Sequence, residues 1–180
     1  MPVPYNSISI ANTFLQHFGS EGGIEHMKLQ KLVYCAYGWW LAHAGLNGDR
    51  LTSDQPEIWK HGPVFPDLYH AFKVFGRKPI SVMQSTSPFA EPAKVDGDDH
   101  EIIALIKWIW GRYGHLSSFA LSDMTHKPGT PWYRVAQERN FSVPLSTVIP
   151  DEYILEEFSN LMAKDQFDRS GEQPRKTASA

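Results

Sequence analysis

Cysteine is almost absent. Cys35 is the single one in 180 residues, which excludes an intrachain disulfide and a cysteine-rich zinc site. A basic excess is absent too: the formal net charge is −3 with histidine neutral. No dense run of Lys and Arg supplies the phosphate contacts on which sequence-independent nucleic-acid binding relies. Long apolar runs are missing, since His, Gly or Lys breaks each one before it could span a bilayer. Met1-Pro2-Val3-Pro4 has neither a basic start nor an apolar stretch, so no secretory leader is expected. The composition is compatible with a reducing cytosol, and a cytoplasmic location is the expectation. Phosphate-loop and dinucleotide fingerprints are lacking as well, because the glycines at 19, 22 and 23 have no Gly-x-x-x-x-Gly-Lys spacing.

What is present is apolar and aromatic. Hydrophobic residues make up 42% and aromatics 13%, which places the chain among folded proteins and not disordered ones. A chain of this length buries roughly 70% of its unfolded surface, enough for one core without staples. Six Trp, seven Tyr and ten Phe should dominate that core or an interface.

The hydrophobic spacing predicts a single, mainly α domain, a helical bundle around a central apolar helix with a small β element. A first helix is expected over Ser7–Phe18, stopped by the run from Gly19 to Gly23. Leu29, Leu32, Val33, Ala36, Tyr37, Trp40, Leu41 and Ala44 follow one helical face. Tyr34, Cys35 and Trp39 add apolar surface on the others, so this helix belongs in the middle of the bundle. Its first turns carry Lys28, Gln30 and Lys31, and that end is expected to reach the surface. Glu57-Ile58-Trp59-Lys60 reads as a short strand and His61–Pro66 as a compact turn. Pro66 then opens a helix bearing Leu68, Tyr69, Phe72 and Phe75. Residues 77–99 read as a long irregular connection in which Ile80–Met83 could pair with the strand at Trp59. Asp98 or Asp99 caps a helix through Ile109, interrupted at Gly111 and Gly114. Shorter helices follow over Ser117–Met124 and from Pro131 or Trp132, and Asp151 caps a last one. The domain is expected over 1–165 and a flexible tail over 166–180.

Catalytic and metal patterns are thin. No histidine pair has His-Glu-x-x-His spacing, and Asp98-Asp99-His100-Glu101 reads as a solvated cap rather than a metal site. Asp123, Thr125 and His126, with His61, could in principle form an acid–base group. The competing reading sets His126 against the free carbonyls of a helix C-terminus. No nucleophile elbow accompanies them. Cys35 reads as a small buried thiol. No cofactor and no metal are expected.

Three ordered blocks carry a resemblance: Leu29-Gln30-Lys31-Leu32-Val33-Tyr34, then Trp59-Lys60-His61-Gly62-Pro63-Val64-Phe65-Pro66-Asp67-Leu68-Tyr69, then the stretch from Leu121 to Trp132 containing Thr125-His126 and Pro131-Trp132. Together they resemble the Panacea antitoxin domain family, the SocA-like group also described as phage-associated GepA-like proteins. The blocks lie within roughly Ile8 to Trp132, most of the domain. The resemblance implies a mainly helical fold and a cognate toxin neutralised by direct binding. For a SocA-type member it further implies a SocB-like toxin delivered to the protease ClpXP. It supplies no catalytic residue, and nothing after Trp132 inherits a role. Candidate partner contacts are Lys28, Gln30, Lys31, Trp59, His61, Tyr69, His126 and Trp132. The alternatives are a DNA-binding operon regulator and a hydrolase using His61 and His126.

Overall fold

A computed structural model describes residues 3–171. Seven helices and one two-stranded sheet build it, and the elements follow from local signals. Helix α1 (Ser7–Phe18) begins where the Asn6 side chain accepts from the Ile8 amide at 2.8 Å, satisfying one of the free first-turn donors. Helix α2 (His26–Ala44) starts three residues before Leu29 and is apolar nearly all round. Every residue from Leu29 to Leu41 is buried. Fully burying a side chain such as Leu32 or Val33 is worth about 1.5–3 kcal/mol. Around this axle pack α1, α3, α4, α5, α7 and the sheet. Cys35 is buried, as expected.

The expected strand and turn form one hairpin. β1 (Glu57–Trp59) pairs antiparallel with β2 (Gly62–Val64), with Trp59 opposite Gly62. Lys60 and His61 make the tip, and both are exposed. Ile80 does not join β1. It bridges Ile24 through hydrogen bonds of 2.8 and 3.0 Å, because the outer edge of β1 is filled by residues 147–149. There the Ile58 amide donates to the Thr147 carbonyl at 2.9 Å.

Helix α3 (Pro66–Phe72) has proline in its first turn and runs into a 3-10 turn through Phe75. The irregular connection that follows is stitched to α1. Asn12 Nδ2 donates to the carbonyls of Gln84 and Ala93 at 2.8 and 2.7 Å, and Asn12 Oδ1 accepts from the Gln84 amide. Thr13 Oγ1 accepts from the Val95 amide at 3.0 Å.

Helix α4 (His100–Tyr113) is capped by Asp99, which accepts from the Ile102 amide and the Tyr5 hydroxyl. Gly111 lies inside α4, contrary to expectation; only Gly114 ends it. A single helical glycine costs about 1 kcal/mol, less than the burial of Ile109 and Tyr113 on either side of it returns. Helices α5 (Ser118–His126) and α6 (Pro131–Glu138) are capped by Ser117 and Thr130. Helix α7 (Asp151–Gly171) closes the bundle against α2. Its first residue is buried and accepts from Tyr37 Oη, Arg50 Nε and Gln55 Nε2 at 2.7, 2.6 and 3.2 Å. Contact between α7 and α2 is possible because position 38 is glycine: a Cβ there would stand 2.2 Å from the Phe158 ring. The backbone of α7 runs through Gly171; the remainder of the segment expected as a tail, 172–180, lies outside the described residues. Among the described residues, no helix is long and apolar enough to cross a membrane.

Candidate functional site: a fastened hairpin in an aromatic setting

The start of α2 turns its polar residues inward, which corrects the expectation of an exposed helix end. Gln30 and Lys31 are 2% and 1% exposed. Buried polar groups require partners, and the hairpin provides them. Gln30 Nε2 donates to the Phe65 carbonyl at 3.2 Å while its Oε1 accepts from the Phe65 amide at 3.0 Å. One amide side chain thus satisfies both backbone groups of one residue. Lys31 Nζ donates to the Pro63 carbonyl at 2.8 Å. Burial lowers the Lys31 pKa to about 7, an effect that the nearby Cys35 opposes.

Helix α5 holds the hairpin from the other side. Ser122 Oγ donates to the His61 carbonyl at 2.9 Å. Gly62 sits between the two anchors with φ +102°, a conformation that favours glycine. A Cβ there would approach Lys31 Nζ to 3.0 Å and Thr125 Oγ1 to 3.1 Å. Glycine is required at position 62 for both reasons.

The fixed hairpin carries a set of rings. The Trp59 and Tyr69 ring centroids lie 4.8 Å apart. Trp132 Nε1 donates to the Trp59 carbonyl at 2.7 Å, and Trp132 meets the His126 ring edge-on at 5.3 Å. Trp59, Tyr69, His126 and Trp132 are half-buried and His61 is exposed. Five of the eight predicted contact residues are therefore brought together. Gln30 and Lys31 lie beneath them. Lys28 goes elsewhere, donating to the Gly114 carbonyl and lying over Trp110 with Nζ 5.2 Å from the ring centroid.

His126 turns back onto its own helix: its Nδ1 faces the Ser122 carbonyl inside α5, which also accepts from Thr125 Oγ1, and not a free carbonyl at the helix end. His61 meets α5 through its backbone carbonyl, and no hydrogen bond joins the two rings among the described residues. Asp99 acts as the expected cap. No group of three or more His, Cys, Asp or Glu side chains is placed to hold a metal among the described residues. One further histidine, His26, is buried with its Nε2 unpartnered among the described residues. Burial, followed by the charge of Lys31, lowers its pKa to about 4. Reading the sequence missed Ser122 and Gly62 as parts of the site. Their signal was present: Ser122 and Thr125 share one face of α5 at i, i+3, and Gly62 follows directly on the hairpin tip.

A helical bundle whose central helix buries two adjacent polar side chains to fix one surface hairpin is the general class. Its membership is specific. The family model for the antitoxin SocA-like, Panacea domain matches residues 29–133, and the chain belongs to that family. That stretch holds the whole site, from Gln30 to Trp132. The chain is also 28% identical to Antitoxin SocA of Caulobacter vibrioides (strain NA1000 / CB15N) over 165 residues, covering 87% of this chain and 84% of the relative. No solved structure matches. Membership supports an antitoxin role.

Proposed function

We propose that the protein is a cytoplasmic antitoxin that binds a cognate, SocB-like toxin through the hairpin face and delivers it to ClpXP. The observation that carries the contact surface is the convergence of Trp59, His61, Tyr69, His126 and Trp132 around a hairpin whose backbone is already tied down. A binding loop fixed before contact loses little entropy on association. Half-exposed tryptophans and tyrosines are the side chains that most often dominate binding energy. Gln30 and Lys31 serve from below, as supports. Function by adhesion needs no reacting group, in agreement with the separate engagement of His61 and His126.

Coexpression with the cognate toxin followed by affinity capture tests the reading. The wild type should retain the toxin and rescue growth. Trp59→Ala should weaken the complex by about 2 kcal/mol, near thirtyfold, as for a central aromatic anchor. A toxin captured equally well by Trp59→Ala and His61→Glu variants would move the contact off this face. Toxin half-life in cells with and without ClpX tests delivery separately; equal half-lives would remove the adaptor step while leaving neutralisation standing.

A further inference from the structure

The chain is acidic overall, with a formal net charge of −3, yet one stretch of it has no acid at all. No Asp or Glu stands between Asp67 and Glu91, while Lys73, Arg77 and Lys78 follow one another closely. All three are exposed, and none has an ion-pair partner among the described residues. The neighbouring acids do not neutralise them. Asp67 lies in the first turn of α3, where it complements the helix dipole. Glu57 accepts from Trp59 Nε1 at 3.0 Å. Glu21, in the turn whose Gly23 meets Pro79, makes no ion pair with them either.

The backbone that carries these cations is anchored on both sides. Phe72, the last residue of α3, is fully buried, and Phe75 packs beside it with ring centroids 6.4 Å apart. Gly76 then turns the chain with φ +56°, and the Lys78 amide donates to the Phe75 carbonyl at 3.0 Å. Two residues on, Ile80 is bridged to Ile24. The turn also adjoins the aromatic face. Lys73 closes α3 by donating its amide to the Tyr69 carbonyl. The i, i+4 spacing puts Lys73 one turn beyond Tyr69 on the same side of the helix, and the Tyr69 ring meets Trp59 at 4.8 Å.

We propose that the end of α3 is a docking surface for an acidic segment of the toxin held on the hairpin face. The identity of that partner rests on the toxin-binding reading; the sign of its charge follows from the cations themselves. Exposed charges of one sign, gathered on a fixed turn and left unpaired, attract the opposite sign and speed encounter. A protein segment fits better than nucleic acid. Strong phosphate-backbone binding gathers many cation contacts, on the order of 6–10, and three in an acidic chain fall short. Val74, 80% exposed between Lys73 and Arg77, offers apolar contact that a peptide side chain can use and a phosphate cannot.

The test follows association and dissociation of the purified cognate toxin on the full chain by biolayer interferometry across salt. A Lys73→Glu, Arg77→Glu, Lys78→Glu triple variant should slow association about tenfold at low salt, a difference that fades at about 0.5 M salt. The matching triple glutamine variant should fall between it and the wild type, with helical content by circular dichroism unchanged in both. Trp59→Ala should instead speed dissociation and keep the wild-type salt dependence. Wild-type rates and salt dependence in the triple glutamate variant, beside a weakened Trp59→Ala complex, would overturn the acidic contact and leave the hairpin reading standing. If Trp59→Ala is silent while charge reversal still slows binding, the hairpin reading fails and the acidic contact stands. No binding by the wild type removes both. Duplex DNA bound by the wild type and lost by the triple glutamate variant would also overturn the proposal, because the patch would then serve nucleic acid.

Discussion

At its N-terminal end α2 directs Gln30 and Lys31 inward to bind backbone of the β hairpin; at its C-terminal end it sets Trp39 and Trp40 under an open trough. At the first end the Nε2 of His26 is buried without a partner among the described residues, but Gln30 and Lys31 have partners with defined directions, so the loop above them has one position. The second end has two directed bonds, Trp39 Nε1 to the Tyr113 hydroxyl at 2.9 Å and Trp40 Nε1 to the Asp49 carbonyl at 2.7 Å, but Trp108 beside it is left partly in contact with water. Hydrogen bonds from buried side chains fix where a segment sits, whereas apolar contact mainly supplies energy. One helix thus fixes a hairpin at one end and leaves an open trough at the other.

Four changes test that contrast, from the largest expected effect to the smallest. Gly38→Ala places a methyl inside the Phe158 ring and should destabilise the fold by about 3 kcal/mol, the upper range for overpacking. Denaturant unfolding would measure it, and a loss below 1 kcal/mol would mean that α7 shifts freely on α2. Gln30→Ala leaves the Phe65 amide without its partner and the Phe65 carbonyl with the Tyr69 amide alone, at a cost of about 2 kcal/mol. Hydrogen exchange should then quicken at residues 60–65 before it does elsewhere.

The third concerns pH. Lys31 has a folded pKa of about 7 against an ordinary 10.5, so above pH 7 the unfolded chain holds the extra proton. Stability then rises with pH, by at most about 1.4 kcal/mol per pH unit for one proton. The increase begins near 7 and ends as pH passes 10.5. Lys28 is lowered by burial as well and adds the same sign, so the difference between wild type and Lys31→Met isolates Lys31. Between pH 7.5 and 9 the variant should show the shallower rise. Parallel profiles would place Lys31 in contact with water. The fourth and smallest is the Arg112–Asp165 pair, which is partly exposed. A double-mutant cycle should give coupling below about 1 kcal/mol, with the effect felt mainly at the trough and not at the hairpin.

Much of the fold could be read from the sequence because its helices carry local signals. Asn6, Asp99, Ser117 and Thr130 each accept from a first-turn amide, and the spacing of Leu29 to Leu41 requires burial on every side. The aromatic part of the site was also legible, since Trp59, Tyr69 and Trp132 lie in recognisable blocks. Gln30 and Lys31 misled because hydrophobic periodicity treats a polar residue near a helix end as exposed. Their partners, the Phe65 and Pro63 carbonyls, are backbone atoms more than thirty residues away and leave no trace in side-chain pattern. Ile80 misled for a similar reason: nothing near it in sequence announces that residues 147–149 already occupy the edge of β1. The trough was hidden because it exists only where α4 and α7, about fifty residues apart, fail to close over α2.

Asn12 reaches across more than seventy residues to hold the carbonyls of Gln84 and Ala93. A stretch without periodic backbone bonding thereby has two fixed moorings, and the exposed bow between them, around Phe89, is the natural place for a protease to cut. A chain clipped there should stay assembled and elute as one species. Asn12→Ala should instead turn that single nick into progressive trimming from both new ends.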